Sequence, residues 1–547
     1  MAAHAHSPTA GPRRGRPPYG GARAAGPRGG RTVRLMRTTA GHSTTMAAGS
    51  GGHRLTLPVL CLSVIIIGLD NTALNVALPT MARDLNAGSQ QLQWIIDAYT
   101  LLFAGLLLAA GTLGDRVGRK KTLALGLVVF AISSAAGAAA SGPRELIAAR
   151  AVMGVGAALI MPTTLSILMH TYRDKRARAK AVGVWSACTG LSVALGPTLG
   201  GWLLEHFSWG SVLLINVPIA VLALAAGHVL VPESKDPSPN RLDLIGAALS
   251  VCGLMTVVWT IIEAPEAGWL SARTLFAGGA GVTLLAVFVL WLRAAPAPLL
   301  DVSVFAKARF SAAAICISLA FLALFGSLFV ISLYLQGVLG YDALESGVRL
   351  LPLAAGMAAG SAAATALGAR LGEKIPALLG TAAMLAAFLT LATTTTSSGY
   401  GRLAVALVLG GVGMAMAQQT TTEAVMGALP LHRAGVGSAV NDTTRQVGGT
   451  LGIAVFGSLL HTVYSDHMTP HLGHLPPAAA RAAQDTVIGA DAAARALGGP
   501  AGRHLSEQAS HAFVQALQTT GFLAAVIAVI AGVVVAGWLP AHEEDHA

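Results

Sequence analysis

The sequence predicts an all-α integral membrane protein of fourteen transmembrane helices, arranged six, two and six, with both termini in the cytoplasm. Three observations predict it. Charged residues make up 11% of the 547 residues and hydrophobic ones 54%, with a mean hydropathy of +0.64. A soluble domain carries roughly 25% charged residues, so a soluble enzyme or regulator is excluded, as is a disordered chain, which would be polar. Fourteen apolar runs are each long enough to cross a bilayer core, which takes about 20 residues of helix. Basic residues divide unequally between alternate connections.

The runs lie near 55–78, 93–113, 122–140, 146–168, 181–203 and 212–231, then 243–263 and 273–293. Six more lie near 312–336, 348–368, 376–396, 403–426, 437–461 and 513–538. An even number puts both termini on one side. With the N-terminus inside, the inner connections hold seventeen Lys and Arg and the outer ones eight. Cytoplasmic loops carry the basic excess, so this orientation is the expected one.

Residues 1–54 hold nine Arg and no acid, and so supply +9 of the net +11. This segment is rich in Gly and Pro and reads as a disordered cytoplasmic tail. An arm that binds anionic lipid or nucleic acid is the alternative, and Met36 and Met46 are alternative starts. The following 55–231 forms a first six-helix bundle. Residues 232–311, opening on the polar stretch VPESKDPSPNRLD, hold two extra helices. A second six-helix bundle occupies 312–540, with an Ala-rich outer loop at 462–512 that suits a short surface helix, and 541–547 is a cytoplasmic tail. Cys61, Cys188, Cys252 and Cys316 all sit in apolar runs without metal-ligand spacing, so no disulfide framework, metal or cofactor is expected. Trp259, Trp269, Trp291 and Trp538 lie near span ends as interfacial anchors.

The loop between spans two and three reads GTLGDRVGRKK. Gly111, Gly114 and Gly118 allow a short turn to pack between two helix ends. Asp115 suits a helix N-terminus, and Arg116, Arg119 and Lys120 hold the loop on the cytoplasmic side. GARLGEKIPALLG at 368–380 echoes it at the same place in the second set of six. In span five, GLSVALGPTLGG carries Gly190, Gly196, Pro197, Gly200 and Gly201. Gly196 and Gly200 form a face for close helix contact, and Pro197 removes a backbone donor and offers a kink.

With these motifs the sequence resembles the major facilitator superfamily. LIAARAVMGVGAA at 146–158 resembles its span-four motif, with Arg150 as the intramembrane arginine. The span-five segment is similar to the motif associated with antiporters. LDNTALNVALP at 69–79, WGSVLLINVP at 209–218, YLQGVLG at 334–340 and NDTTRQVGGTLGIAVFG at 441–457 resemble the fourteen-span drug:proton antiporters of the EmrB/QacA type. The resemblance covers about residues 55–540. It implies the major facilitator fold and alternating access, in which two six-helix bundles rock about a central cavity.

Ionisable residues deep in a span are functional candidates by default. Asp70 and Arg150 each lie about 12 Å inside the outer end of their spans by helical rise, and so at comparable depth in one bundle. Desolvation favours the neutral form of such a carboxylate and a nearby Arg the charged form. That competition makes a switchable proton site; a static ion pair is the alternative. Asp97, a second acid near the outer face, either binds a cationic substrate or faces a water-filled vestibule. In the second bundle Gln336, Glu423, Asn441, Asp442 and Arg445 are polar candidates, Asp442 and Arg445 being spaced for an intrahelical pair.

The expected function is proton-coupled export of drugs or antibiotics, hydrophobic or cationic, across the cytoplasmic membrane. Partners are the small-molecule substrate, protons and the lipid bilayer, with no nucleic acid, and the chain is expected to act as a monomer. Export of a metabolite, siderophore or amino acid is the alternative on the same scaffold, and a membrane sensor or channel the alternative of another class. No G-x-S-x-G or Walker-type motif occurs in the sequence, and the single H-E-x-x-H match, HEEDH at 542–546, lies in the C-terminal tail outside the spans, so neither an enzyme nor an ATP-driven pump is expected.

Overall fold

A computed structural model describes residues 52–539, apart from 173, 235–242, 297, 301, 428–433 and 474. The basic tail through residue 51, the alternative starts and residues 540–547 lie outside the described residues.

Each apolar run falls on helix, and the described residues contain no strand. The first half runs α1 (Gly52–Asp84), α2 (Ser89–Val117), α3 (Arg119–Ala138), α4 (Pro143–Thr171), α5 (Lys175–His206), α6 (Ser211–Leu214) and α7 (Asn216–Leu230). The two extra helices are α8 (Leu244–Ala267) and α9 (Ala272–Ala294). The second half runs α10 (Ala308–Gly337), α11 (Ala343–Arg349), α12 (Leu351–Leu371), α13 (Lys374–Ala392), α14 (Tyr400–Gly427), α15 (Ala434–Met468), α16 (Pro477–Asp485), α17 (Val487–Leu497) and α18 (Gly499–Trp538). Among the described residues twelve helices are long and apolar enough to cross a membrane, thirteen when the bent α2 counts as one span.

Local chemistry sets the helix boundaries. The side chains of Asp174, Asp243, Ser271, Asp342 and Thr486 cap α5, α8, α9, α11 and α17, each satisfying a backbone donor that the helix leaves open. Two apolar runs are broken, α6 from α7 and α11 from α12. Pro218 and Pro352 sit in the first turns of α7 and α12, where a missing N–H costs nothing.

The two halves repeat one packing scheme. In the first, α1 packs on α5 and α7, α4 on α2 and α3, and α3 on α7. In the second, α10 packs on α15 and α18, α14 on α12 and α13, and α13 on α18. The loop echo recurs in the backbone as well. Gly118 and Gly372 both follow the second apolar run of their half, and both have positive φ, 121° and 73°. Between the halves α2 packs on α15, α1 on α10, and α5 on α11. Helix α8 packs on both α2 and α15, where Leu101, Leu254, Val258, Ile262 and Ala454 share an apolar cluster. Helix α8 therefore touches the seam between the halves, and α9 packs on α8. Asp243 fixes their entry: besides capping α8 it accepts from Trp291 Nε1 at 2.8 Å and Leu299 N at 3.3 Å. Trp291 is thus a structural hydrogen-bond donor as well as a span-end aromatic.

The 462–512 segment holds more structure than one short surface helix. Helices α15 and α18 extend into it, and α16 and α17 fill the space between. Pro477 opens α16, the Thr486 cap opens α17, and Gly498, with φ of 63°, closes it. Tyr464 anchors the turn by donating its hydroxyl to Ala483 O at 2.9 Å.

Candidate functional site

Asp70 on α1 and Arg150 on α4 are both fully buried, and Arg150 Nη1 lies 2.5 Å from Asp70 Oδ2. The rest of the guanidinium is held by α2. Its Nε donates to Ile95 O at 3.0 Å, and its Cζ sits 4.3 Å from the centre of the Tyr99 ring. The other Asp70 oxygen accepts from Asn216 Nδ2 at 3.0 Å, and the same amide reaches Ser134 Oγ on α3 at 3.3 Å. Side chains of five helices thus form one cluster, in which Arg150 and Asn216 touch the carboxylate itself. Two buried charges each cost several kcal/mol to desolvate, and only close pairing with added hydrogen bonds offsets that. Arg150 Nη2 and the Tyr99 hydroxyl have no hydrogen-bond partner among the described residues, so the cluster keeps polar capacity in reserve.

Asp97 stands apart from this cluster. It is fully buried and does not face an open vestibule. Neither of its carboxylate oxygens has a hydrogen-bond partner among the described residues. Thr100 is beside it, with its hydroxyl turned to the carbonyls of Ile96 and Asp97 at 3.4 and 3.3 Å. One turn back along α2, Gln93 is also buried, with an unpartnered Oε1.

The 111–121 loop is a docked structure. Asp115 takes Arg119 rather than a helix N-terminus as its partner: Nε and Nη2 approach its Oδ1 at 2.9 and 2.8 Å. Lys120 Nζ donates to His228 O at 2.6 Å, a carbonyl of the last turn of α7, where a cation also meets the negative end of the helix. Arg119 N donates to Ser234 O at 2.8 Å, and Lys120 N to Glu233 Oε1 at 3.2 Å. Arg116 is exposed, as a residue that only marks sidedness would be. A side chain at Gly118 would meet Glu233 Oε1 at 2.7 Å, on a backbone with φ of 121°. Gly114 packs by Thr163 and Gly111 by Pro162, both on α4.

The glycine face of α5 works in two directions. Gly196 and Gly200 lie against Thr72 and Ala73 of α1, a Cβ at Gly200 falling 2.9 Å from that of Ala73. Gly201 lies against Ala343 and Leu344 of α11, and Gly347 approaches Pro197 O. The segment therefore joins the helix of Asp70 to the second half. Helix α5 continues through Pro197. Gly190 lies outside the residues described at side-chain level.

In the second half Arg445 Nη1 pairs with Asp442 Oδ1 at 3.5 Å, three residues apart on α15, and Nη2 donates to Thr422 Oγ1 at 2.8 Å. Asn441 is buried with an unpartnered Oδ1. Glu423 is exposed and accepts from Gln419 Nε2 at 3.4 Å. Gln336 belongs to another part of the molecule. Its Nε2 donates across the seam to Val76 O at 2.8 Å, and one turn away Ser332 donates to Asn75 O. Both contacts lie at the end opposite the 111–121 loop, as do the α5–α11 contacts.

Sequence reasoning brought Asp70 and Arg150 together and missed the role of Asn216. The signal was present: an amide inside an otherwise apolar run, two residues before Pro218.

A sequence model of the Major Facilitator Superfamily matches residues 60–453. The multidrug efflux pump LfrA of Mycolicibacterium smegmatis is 34% identical over 479 residues, 88% of this chain and 95% of that protein. The tetracenomycin C resistance and export protein of Streptomyces glaucescens is 32% identical over 502 residues, 90% of this chain and 93% of its own. The methyl viologen resistance protein SmvA of Salmonella typhimurium is 33% identical over 482 residues, covering 87% and 97%. Among solved structures, a bacterial homolog of the human lysosomal transporter Spinster, inward-facing and unoccupied, superposes with a TM-score of 0.62. It is 17% identical and the match covers 90% of this chain and 98% of that one, a likeness of fold.

Proposed function

Because the chain belongs to the major facilitator superfamily, in its branch of multidrug-efflux and resistance transporters, we propose that it exports hydrophobic, cationic drugs or antibiotics from the cytoplasm in exchange for protons. It is a bacterial multi-pass transporter and not a catalytic enzyme. On this reading fourteen spans stand six, two and six in the cytoplasmic membrane, and both termini and the 111–121 loop are cytoplasmic. The excess of basic residues in the connections on that side supports the orientation.

The observation that carries the proton coupling is the buried Asp70 with its two donors, Arg150 and Asn216. With Asp70 ionised, the Arg150 pair is neutral overall and closed. Protonation of Asp70 removes the attraction and leaves Arg150 buried and charged, a state that favours rearrangement of α1 against α4. A carboxylate so placed takes a proton from the outer side and releases it inside as the halves rock. The seam contacts of Ser332, Gln336, Gly201 and Gly347 then close the outer end, which fits an inward-facing arrangement.

Efflux from a drug-hypersusceptible bacterial host tests the reading, across cationic, neutral and anionic compounds, with and without a protonophore. Efflux of cations that collapses with the protonophore is expected. Protonophore-insensitive efflux contradicts the coupling, and selective export of anions contradicts the substrate class.

A further inference from the structure

A small cavity, open in part to solvent and with room for about one water molecule, lies where α16 and α17 meet the end of the seam opposite the 111–121 loop. Both halves line it: its polar members are Ser89 and Gln93 on α2, His461 and Tyr464 on α15, and Asp485 and Thr486 where α16 gives way to α17. Asp485 closes one side. Its carboxylate accepts from Ser89 N at 3.4 and 3.3 Å, its carbonyl from Ser89 Oγ at 2.7 Å, and His461 Nδ1 stands 3.4 Å from Oδ1. Gln93 supplies the opposite side, buried and with Oε1 unpartnered.

Asp97 lies four residues beyond Gln93 on the same helix face, about 6 Å deeper by helical rise. It is the second buried polar group there whose oxygens lack partners. A cavity with several polar partners is one that water fills. Such a row, from a titratable pair at the mouth through water to a lone buried carboxylate, can pass a proton.

We propose that this cavity is the proton passage from the outer face to Asp97, with His461 and Asp485 at its mouth and Gln93 as the hydrogen-bonding side chain between cavity and carboxylate. A hydronium ion yields its proton to the Asp97 carboxylate, forming a carboxylic acid and a water, and the same O–H bond breaks when the proton leaves. The titratable side chains that line the neighbouring parts of these helices have partners of their own. Arg150 on α4 is turned to Asp70 on α1, Glu263 on α8 faces Arg273 at 4.0 Å, Tyr464 on α15 donates to Ala483, and Tyr99 on α2 lies under Arg150.

The inference rests on the proposed proton-coupled export, and the test separates the two. Full-length protein in liposomes is driven by an imposed proton gradient with ethidium as substrate, and ethidium counterflow without a gradient is measured in parallel. Gln93→Leu and His461→Phe are expected to slow gradient-driven export on the order of tenfold or more, with counterflow unchanged and with Gln93→Glu retaining the driven rate. Gradient-driven export at the unmodified rate in Gln93→Leu overturns the passage, and so does an equal loss in counterflow, which marks a structural role. Absence of gradient-driven export in the unmodified protein overturns the proposed function instead, and the passage with it.

Discussion

Arg150 donates from Nη1 to Asp70 Oδ2 at 2.5 Å, and the two side chains are 0% and 1% exposed. They are 80 residues apart in the chain and meet because α1 and α4 run through one bundle in opposite directions. A buried charge pair contributes little net stability compared with apolar packing, but removing one partner strands the other. The pair is therefore sensitive to the state of a single proton.

Asp70→Asn and Asp70→Ala separate charge from hydrogen bonding. Both are expected to abolish proton-driven efflux while protein still reaches the membrane. Asn keeps an oxygen for one of the two donors, Arg150 or Asn216, and turns its NH2 to the other, whereas Ala leaves both without an acceptor, so Ala is expected to be the less stable. Breaking a buried pair costs about 3–5 kcal/mol, and thermal unfolding in detergent reads the difference. Equal Tm values for Ala and unmodified protein contradict the energetic account.

Arg150→Lys retains the charge and loses the fork. Lysine has one ammonium centre in place of a planar donor set, so the bond to Ile95 O and the stacking on Tyr99 both go. A charge-assisted hydrogen bond is worth about 1.5–3 kcal/mol, and a destabilisation of that size is expected. Transport is expected to fall despite the conserved charge. Normal transport and normal Tm in this variant show that only the charge matters.

Gly118→Ala places a methyl on a backbone with φ of 121° and against Glu233. The backbone strain alone is about 1–3 kcal/mol. Shortening Glu233 to Ala in the same protein removes the clash and leaves the strain, so partial rescue of folded yield is expected. Full rescue contradicts a conformational requirement at Gly118.

Gly201→Val puts a branched side chain where α5 meets Ala343 and Leu344. The seam then cannot close at that end. A cysteine at position 332, whose serine bonds Asn75 O across the seam, is expected to label severalfold faster with a membrane-impermeant thiol reagent in this background. Unchanged labelling shows that the α5–α11 contact does not set closure.

The span pattern was legible because apolar runs and basic loops are one-dimensional signals. Asp70 and Arg150 were legible because a charge inside an apolar run stands out, and helical rise gave their depth. Asn216 was less visible, since an amide carries no charge to mark it. Asp115 was assigned to a helix end because its partner, Arg119, opens α3 after the one-residue turn at Gly118, whose backbone conformation the sequence does not specify. Asp97 was expected to bind a cationic substrate or face a water-filled vestibule, and its burial depends on how α2 packs on α4, α8 and α15, a tertiary matter. The cap of α16 and α17 was hidden for a similar reason. An Ala-rich segment has helix propensity but does not declare what it packs on, and Asp485 meets Ser89 from 396 residues away.

The exchange of protons for drug through Asp70 is tested most directly in liposomes that hold a pH-sensitive dye and the purified protein, with no imposed gradient. On the proposed mechanism, adding ethidium drives proton movement opposite to the drug, the signal vanishes with Asp70→Asn, and both proteins are present in equal amount. Ethidium uptake without any proton movement, or an undiminished proton signal from Asp70→Asn, contradicts it.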